Sequence, residues 1–245
     1  MSKIELSRTD WSKILGYLAA NPAPLYFDRR LRTFIAKKHA VAHGEVRTFE
    51  AETRQIIEGA INYNQHHMNN FLESHVVRLI RPLSVIDPIY ERASDAKVLS
   101  IGPRNENELL HLAAYGFDLN KIDAIDLVSN SPNIRIMDMH HLEFADDSYD
   151  VVISGWTLPY SREPRRALAE KMRVLRRGGL LCIGLTREPP DGDEAALVFR
   201  QGATNYLSVE QILADIDVPI DRVEFRHEPL DPTRKGAILL IARAT

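Results

Sequence analysis

KVLSIGPRNENELL, residues 97–110, is the stretch around which the chain is organised. Its apolar run predicts a buried β-strand from Lys97 to Ile101, followed by a tight turn at Gly102-Pro103. A helix then begins, with Glu106 and Glu108 in its first turn. A strand that enters a helix through a glycine turn places backbone N–H groups around a crevice at the strand's carboxyl end. Open α/β sheets bind ligands in that crevice, so we expect a binding site here.

The rest of the chain alternates between short apolar runs and helical segments, the pattern of βαβ units and a parallel sheet. The last two runs are joined by a loop too short for a crossover helix, so we expect them to be antiparallel. The predicted fold is α/β, a doubly wound and mostly parallel sheet with one reversed strand near its end. The predicted strands are Lys97–Ile101, Ile122–Leu127, Ile134–Met137, Tyr149–Ser154, Leu180–Leu185, Arg222–His227 and Ala237–Arg243.

The chain before residue 93 has a helical pattern that is interrupted by proline. We therefore expect two regions, a helical cap over residues 1–92 and a sheet-containing core over residues 93–245. The longest helical pattern runs from Phe49 to about Ile80 and is expected to end at Arg81-Pro82. Its apolar residues lie on more than one face, which favours packing against a second subunit in a homodimer.

A polar cluster that includes Tyr63, His66 and His67 interrupts this long helical pattern. Two interpretations are open: a solvent-facing surface, or a substrate-lining helix that offers hydrogen-bond groups across the crevice. A metal site at the two histidines is disfavoured, because adjacent helical residues point about 100° apart and no nearby carboxylate completes a ligand set.

Composition and charge narrow the class of protein. The 245 residues include 31 basic and 34 acidic side chains, and the net charge of −3 argues against a nucleic-acid partner bound through bulk electrostatics. The single cysteine, Cys182, excludes a disulfide framework and favours a reducing, cytoplasmic location. No signal pattern and no apolar stretch of about 18 residues occurs, so no membrane partner is expected.

Two later segments carry a second and more specific signal. HLEFADDSYDVVIS, residues 141–154, combines an apolar position, phenylalanine, acidic residues, serine, an aromatic and Asp-Val-Val. ALAEKMRVLRRGGLL, residues 167–181, contains E-x-x-R-V-L followed by a Gly-Gly turn. In this order they resemble the class I S-adenosylmethionine-dependent methyltransferases, with a core like that of type 11 enzymes. The resemblance covers about residues 95–185 and implies a Rossmann-like sheet of seven strands with S-adenosyl-L-methionine as cofactor.

The resemblance implies roles for residues around the crevice. Gly102 takes the place of the first glycine of the cofactor loop, where the backbone approaches the methionine moiety. Asp126 matches the carboxylate that accepts hydrogen bonds from both ribose hydroxyls. Asp138 and Met139 fall where the family recognises adenine, with a carboxylate for the exocyclic amine and an apolar cover for the ring. Ser154 follows the strand at which cofactor and acceptor meet.

The glycine loop departs from the family pattern. The usual order is acidic-x-Gly-x-Gly-x-Gly, whereas these places hold Ser100, Gly102, Arg104 and Glu106. Arg104 can pair as a planar fork with the cofactor's carboxylate, and Glu106 or Glu108 can meet its ammonium. The predicted cofactor-binding residues are Gly102, Pro103, Arg104, Glu108, Asp126, Asp138, Met139 and Ser154.

The resemblance implies methyl transfer to a small-molecule acceptor, by O- or N-methylation in preference to C-methylation. Such a transfer is an in-line displacement, so the enzyme contributes alignment and, where the acceptor needs it, a base. Candidate catalytic residues are His140, His141 and Tyr160, and candidate substrate-contacting residues are Trp156, Tyr63, His66 and His67. One alternative is a catalytically inactive methyltransferase-like protein that serves binding or assembly. A nicotinamide-dependent reductase is disfavoured, because no Gly-x-Gly-x-x-Gly follows any predicted strand.

Overall fold

The structure is a computed structural model that describes residues 8–21, 28, 31, 45–49, 61, 65, 68, 75–190, 192, 193, 195 and 203–245. The predicted substrate residues Tyr63, His66 and His67 lie outside the described residues, as does most of the predicted long helix. Within the described ranges, no helix combines the length and the apolar character needed to cross a lipid bilayer.

Helices and strands alternate through the described core. The helices are α1 (Arg8–Ala20), α2 (Val77–Leu83), α3 (Ile89–Arg92), α4 (Asn107–Ala114), α5 (Pro164–Val174) and α6 (Val209–Ala214). The strands are β1 (Arg47–Thr48), β2 (Val98–Ile101), β3 (Ile122–Asp126), β4 (Val128–Ser129), β5 (Arg135–Ile136), β6 (Tyr149–Gly155), β7 (Leu175–Arg187), β8 (Ile220–His227) and β9 (Gly236–Ala244).

One sheet of seven strands organises the core, in the order β5-β3-β2-β6-β7-β9-β8. The pairs β2–β3, β2–β6, β3–β5 and β6–β7 are parallel. Strand β9 is antiparallel to both of its neighbours, β7 and β8. The predicted sheet with one reversed strand near its end is therefore confirmed. The chain passes from β2 to β3 on one side and returns to β6 on the other, so the topological switch point lies beside β2.

Helices cover both faces of this sheet, and each face has its own apolar core. On one face, α5 and α6 pack side chains such as Leu168 against Leu99 of β2. On the other, α2 and α4 pack Leu79 and Leu112 against Val98 of the same strand. Successive strand residues point to opposite faces, so a single apolar run supplies both cores.

Helix α2 differs from its predicted bounds. The long pattern predicts a helix that continues to Ile80, but His75 and Val76 form a turn and α2 begins only at Val77. The helix also continues through Pro82 to Leu83, because Leu83 is fully buried against the sheet and packing outweighs the lost N–H of the proline. The turn places His75 and Val76 beside the carboxyl ends of β2 and β6.

A second, two-stranded sheet joins the chain before the core to the core itself. Strand β1 pairs antiparallel with β4, with Arg47 opposite Ser129. The Arg47 guanidinium donates hydrogen bonds to the carbonyl oxygens of Ser131 and, at 2.9 Å, Ile134. Residues 45–49 are therefore fixed against the segment that follows β3.

Candidate cofactor and acceptor site

A pocket that is partly open to solvent lies at the carboxyl ends of β2 and β6, beside the switch point. It is bounded by the turn before α2, the loop after β2, the start of α4 and the residues that end β6. The residues that line it are His75, Val76, Gly102, Pro103, Arg104, Asn105, Asn107, Glu108, Gly155 and Trp156. This is the position at which open α/β sheets bind their ligands.

The loop after β2, residues 102–106 and here called the β2 loop, has an unusual backbone. Gly102 has a φ of +82° and Arg104 a φ of +56°, both in the left-handed region that favours glycine. A Cβ atom on Gly102 would lie 2.0 Å from Cγ2 of Thr157. Glycine at position 102 therefore lets the loop pack directly on the segment that follows β6, and the two walls of the pocket meet there.

The two glutamates near the start of α4 face different neighbours. Glu106 accepts hydrogen bonds from the Ser131 hydroxyl and, at 2.9 Å, from the Asn133 side-chain amide. Glu108 lines the pocket and accepts a hydrogen bond of 2.7 Å from the Ser100 hydroxyl. Of the two carboxylates predicted to meet an ammonium, Glu108 is the one that lies in the pocket.

Glu108 is a buried acid with a perturbed pKa. Burial raises the pKa of Glu108 to about 7, and the nearby carboxylate of Asp126 acts in the same direction. The hydrogen bond from Ser100 and the charge of Arg104 oppose this rise. The ionised form of Glu108 is therefore less favourable in the folded protein than in water, and a ligand cation in the pocket would stabilise it.

Asp126, the last residue of β3, is buried and holds the β2 loop. Its Oδ2 accepts a hydrogen bond of 2.7 Å from the Arg104 backbone N–H, and its Oδ1 accepts one of 3.2 Å from Val128 N–H. Burial raises the pKa of Asp126 to about 6 against these hydrogen bonds. Asp126 is not among the pocket-lining residues, and its role toward a ribose stays a prediction.

Asp138, His140 and Ser161 form a buried chain of hydrogen bonds beyond β5. The His140 ring contacts Asp138 Oδ1 through Nδ1 at 2.5 Å and Ser161 Oγ through Nε2 at 2.6 Å. Burial acts to raise the pKa of Asp138, but the hydrogen bonds from His140 outweigh it and the pKa lies below its usual range. An ionised Asp138 selects the tautomer in which Nδ1 donates and Nε2 accepts from the serine. His140 is 1% exposed, so this histidine is held by protein groups on both sides.

Met139 lies next to a buried lysine. Its sulfur is 3.5 Å from Nζ of Lys171, which also donates to the Ala167 carbonyl oxygen at 3.3 Å. Burial lowers the pKa of Lys171 to about 7, and the charge of Asp138 opposes this effect. The residues predicted to recognise adenine therefore lie beside a polar group that the sequence pattern had not singled out.

Trp156 and His75 form the wall of the pocket opposite the β2 loop. Their ring centroids lie 5.1 Å apart, and the guanidinium carbon of Arg78 lies 5.9 Å from the Trp156 ring. Trp156 has a φ of +59° and is held by two hydrogen bonds, from its backbone N–H to the Gly184 carbonyl oxygen at 2.6 Å and from its indole N–H to Thr186 Oγ1 at 2.8 Å. A bulky residue in this conformation is strained and must be held by its surroundings.

Comparison with known protein families identifies a domain within the core. Residues 99–183 match the family model described as a methyltransferase domain, which spans the pocket's strands and the two segments that carried the resemblance. Residues 99–183 of the chain therefore form a methyltransferase domain. Within that domain the pocket lies where the resemblance predicts the cofactor's methionine end.

Several proteins are similar to parts of the chain. Demethylmenaquinone methyltransferase of Renibacterium salmoninarum is 39% identical over 66 residues, which cover 27% of this chain. The match spans only 26% of that relative. A chain in the Haloferax volcanii complex of the Trm112 methyltransferase activator with a methyltransferase has 17% identity and a TM-score of 0.49, over 76% of this chain and 95% of that one. The N-methyltransferase NodS of Bradyrhizobium japonicum, crystallised with S-adenosylhomocysteine, has 14% identity and a TM-score of 0.46, over 75% and 97%.

The E-x-x-R-V-L segment of the methyltransferase domain acts as a clamp in this structure. Arg173 of α5 donates hydrogen bonds of 2.8 Å to the carbonyl oxygens of Leu142 and Phe144, and it pairs with Asp146 at 2.7 Å. Glu170 pairs with Arg173 and accepts the Leu142 N–H at 2.7 Å. The two side chains thus fasten the loop between β5 and β6 to α5.

The structure brings together some of the predicted site residues of the methyltransferase domain and separates others. Those that line the pocket are Gly102, Pro103, Arg104, Glu108 and Trp156. Those that lie elsewhere are Asp126, Asp138, Met139, His140, His141, Ser154 and Tyr160. Among the latter, Ser154 is fully buried and its hydroxyl lies 2.5 Å from that of Thr157, whereas His141 is exposed and Tyr160 is 38% exposed.

Five pocket residues are not among the predicted site residues, and one of them, Gly155, directly follows the predicted residue Ser154. Asn105 and Asn107 belong to the quoted opening stretch, and their position between strand and helix is the signal that could have found them. His75 and Val76 come from the end of the helical region, and their sequence pattern indicates only a helix. Their place in the pocket depends on the turn before α2, which tertiary packing sets.

Proposed function

We propose that this protein transfers a methyl group from S-adenosylmethionine to an oxygen or nitrogen of a small-molecule acceptor, in the cytoplasm and under the helical region before residue 93. The observation that carries the proposal is the pocket of the methyltransferase domain, in which buried Glu108 and glycine-bounded backbone lie at the carboxyl ends of β2 and β6. Polar and charged side chains converge on this crevice, which suits a small, charged ligand.

The pocket residues fit the amino-acid end of S-adenosylmethionine. Gly102 offers bare backbone, Glu108 offers a carboxylate for an ammonium, and Arg104 offers a guanidinium for a carboxylate. When bound there, the cofactor supplies an electrophilic methyl group on a positively charged sulfur. The nucleoside end is predicted to meet Asp126, the last residue of β3, and Asp138, which lies two residues after β5.

The residues of the chain then have distinct tasks in methyl transfer. Glu108 and Arg104 hold the amino-acid end, and the strained Trp156 fixes the opposite wall, so that donor and acceptor meet in line. His75 lines the same pocket and takes up the proton that an acceptor hydroxyl or ammonium group loses. His140, His141 and Tyr160 remain proposed acceptor-positioning groups, and the predicted residues Tyr63, His66 and His67 lie outside the described part of the chain.

A binding experiment tests the cofactor. We expect S-adenosylmethionine and S-adenosylhomocysteine to raise the melting temperature and to bind in calorimetry, whereas NADH does neither. 5′-Methylthioadenosine lacks the amino-acid end and serves as the matched control. It should bind at least tenfold more weakly than S-adenosylhomocysteine, because each charge-assisted hydrogen bond contributes about 1.5–3 kcal/mol. The proposal would be contradicted if neither S-adenosylmethionine nor S-adenosylhomocysteine bound to the protein.

Transfer of a labelled methyl group to a fractionated cell extract tests the activity and identifies the acceptor. We expect label in a low-molecular-mass fraction. Label in protein or nucleic acid would contradict the small-molecule part of the proposal. His75→Asn should lower the rate of labelling at neutral pH while S-adenosylhomocysteine still binds, since His75 acts on the acceptor. Size-exclusion chromatography tests the proposed homodimer.

A second function is a methyltransferase-like protein that binds or assembles without catalysis. The observation that favours it is the engagement of both Asp126 carboxylate oxygens by backbone N–H groups of Arg104 and Val128. The β2 loop then covers a residue that the cofactor's ribose is predicted to meet. Arg104→Gly keeps the left-handed backbone of residue 104 and removes the guanidinium. If the protein is a methyltransferase, this variant should bind S-adenosylhomocysteine more weakly than the unaltered protein. If the protein is non-catalytic, neither the unaltered protein nor the variant should bind S-adenosylhomocysteine.

A further inference from the structure

Ser100 and Glu108 form a pair that the family pattern does not contain. The place of the family's acidic residue at the end of the first strand is held here by Ser100, which is fully buried in β2. Glu108 lies in the first turn of α4, and its Oε1 accepts the hydrogen bond from the Ser100 hydroxyl. The helix therefore delivers a carboxylate to the position from which the strand carboxylate is missing.

The geometry of Glu108 is that of a built cation site. The side chain is only 7% exposed, yet it lines the pocket together with Gly102 and Trp156. Ser100 contacts Oε1, and the described part of the chain provides no hydrogen bond to Oε2. One carboxylate oxygen is therefore oriented by the protein while the other remains available to a ligand. The ionised form of a buried carboxyl group requires a positive partner.

We propose that Glu108 has replaced the strand carboxylate of the family as the ligand of the cofactor's ammonium, and that it gives up a proton to solvent when the cofactor binds. This inference rests on the proposed function. The step is balanced: a Glu108 carboxyl group and a ligand ammonium become a carboxylate–ammonium pair, and one proton goes to the buffer. Cofactor affinity then depends on pH through the chain's own helix residue.

The sign of this dependence follows from the groups around Glu108. Because its pKa is raised to about 7, the side chain is mostly protonated at pH 5.5 and must be ionised to bind an ammonium. Affinity should therefore rise with pH through neutrality. The other charged or titratable groups that face it are Asp126 and Arg104, and His75 lines the same pocket. Asp126, whose pKa is raised to about 6, contributes a weaker dependence in the same direction.

Calorimetry of S-adenosylhomocysteine binding, in buffers of different ionisation enthalpy, measures the released proton. At pH 6.5 we expect the unaltered protein to release roughly half to one proton, and its affinity to fall roughly tenfold from pH 7 to pH 5.5. Glu108→Gln should bind tenfold or more weakly at pH 7 and keep only the dependence that Asp126 causes. Glu106→Gln is the matched control and should change neither, because an amide oxygen can accept the hydrogen bonds that Ser131 and Asn133 donate to Glu106 Oε1.

A swap of the two positions tests the replacement directly. Adding Ser100→Asp to Glu108→Gln returns a carboxylate to the strand, and we expect affinity within about threefold of the unaltered protein. Should the double variant fail to fold, Ser100→Ala gives a second measurement. It removes the hydrogen bond that lowers the pKa of Glu108, so the pH profile of binding should shift upward.

The outcomes separate the inference from the function on which it rests. If the unaltered protein does not bind S-adenosylhomocysteine, both the proposed function and the inference are wrong. If it binds without releasing a proton, or if Glu108→Gln binds as tightly as the unaltered protein, only the inference is overturned.

Discussion

The β2 loop and the loop between β5 and β6, residues 137–148 and here called the β5 loop, both begin at the carboxyl end of a strand but are held in different ways. The β2 loop contains two residues with left-handed φ, Gly102 and Arg104, and leads to a buried glutamate that faces a pocket. The β5 loop is fastened by Arg173 and Glu170 of α5 and by the ring of His140.

The difference separates the segments that resemble the family from the loop that borders the pocket. The β5 loop and α5 carry the segments that resemble the family, and their polar side chains mostly bind one another. The β2 loop departs from the family pattern, and it leads to the buried carboxyl group of Glu108, which lines the pocket. Strain and buried charge of this kind collect at functional sites, where they reduce stability in favour of binding.

Gly102→Ala should break the β2 loop and have the largest effect. The added Cβ would lie 2.0 Å from Thr157 Cγ2, and Thr157 is fixed by its hydroxyl contact with Ser154. Overpacking together with an alanine at φ +82° should lower the free energy of unfolding by about 4 kcal/mol. Urea denaturation followed by circular dichroism measures this loss.

The control for Gly102→Ala is a second change in the contacting residue. Thr157→Ser removes Cγ2 and keeps the hydroxyl, so the double variant should recover more than half of the lost stability. The remainder belongs to the backbone conformation. Equal instability of the single and double variants would mean that contact with Thr157 does not explain the glycine.

Arg173→Ala should release the β5 loop while leaving the pocket formed. It removes hydrogen bonds to two backbone carbonyl oxygens and pairs with Glu170 and Asp146, so we expect a loss of about 3 kcal/mol in unfolding free energy. Arg176→Ala is the control. Arg176 is exposed and pairs only with Asp150 among the described residues, so this change should cost under about 1 kcal/mol. Similar losses in both variants would contradict the clamp.

The contrast between the loops also explains what sequence could predict. The sheet was predictable because burial on both faces leaves continuous apolar runs, as at Tyr149–Gly155. Helix α4 was predictable because acidic residues follow the turn at Gly102-Pro103. The β5 loop and α5 were recognisable because a clamp needs particular side chains at fixed spacing. These features are local in sequence and were accessible from it.

The pocket was only partly predictable, because its contacts are not local. Nothing in the sequence places His75 against Trp156, since that contact depends on how α2 packs on the sheet. The opposite orientations of Glu106 and Glu108 likewise depend on partners in other segments. Asp138 and His140 are two residues apart in the sequence, but their hydrogen bond holds the histidine only because both side chains are buried. The burial of two polar loop residues cannot be predicted from their sequence.

Glu108→Gln should stabilise the protein. This result would sharpen the contrast between the pocket beside the β2 loop, which reduces stability, and the contacts of Arg173 with the β5 loop, which increase it. The folded-state pKa of Glu108 is raised from 4.5 to about 7, so the unfolded state loses its proton first and stability falls as pH rises from about 4.5 through 7. The glutamine removes this cost. We expect the variant to be more stable by about 3 kcal/mol at pH 8 and to match the unaltered protein near pH 4.5. Denaturation at both pH values measures it, and a variant that is less stable at pH 8 contradicts the assignment.

Ser161→Ala should have the smallest effect and should act on stability alone. The serine hydroxyl contacts His140 Nε2 at 2.6 Å and accepts the Glu163 N–H at 3.0 Å, so its loss removes the partner of a buried ring nitrogen and of one backbone N–H. We expect a loss of about 1.5 kcal/mol, seen as a lower melting temperature. Asp138 keeps both the backbone N–H and the ring N–H of His140, so its carboxylate should stay in place. Affinity for S-adenosylhomocysteine should then change less than about threefold. A tenfold loss would mean that the β5 loop, like the β2 loop, is tuned for the ligand, and the contrast between the two loops would have to be abandoned.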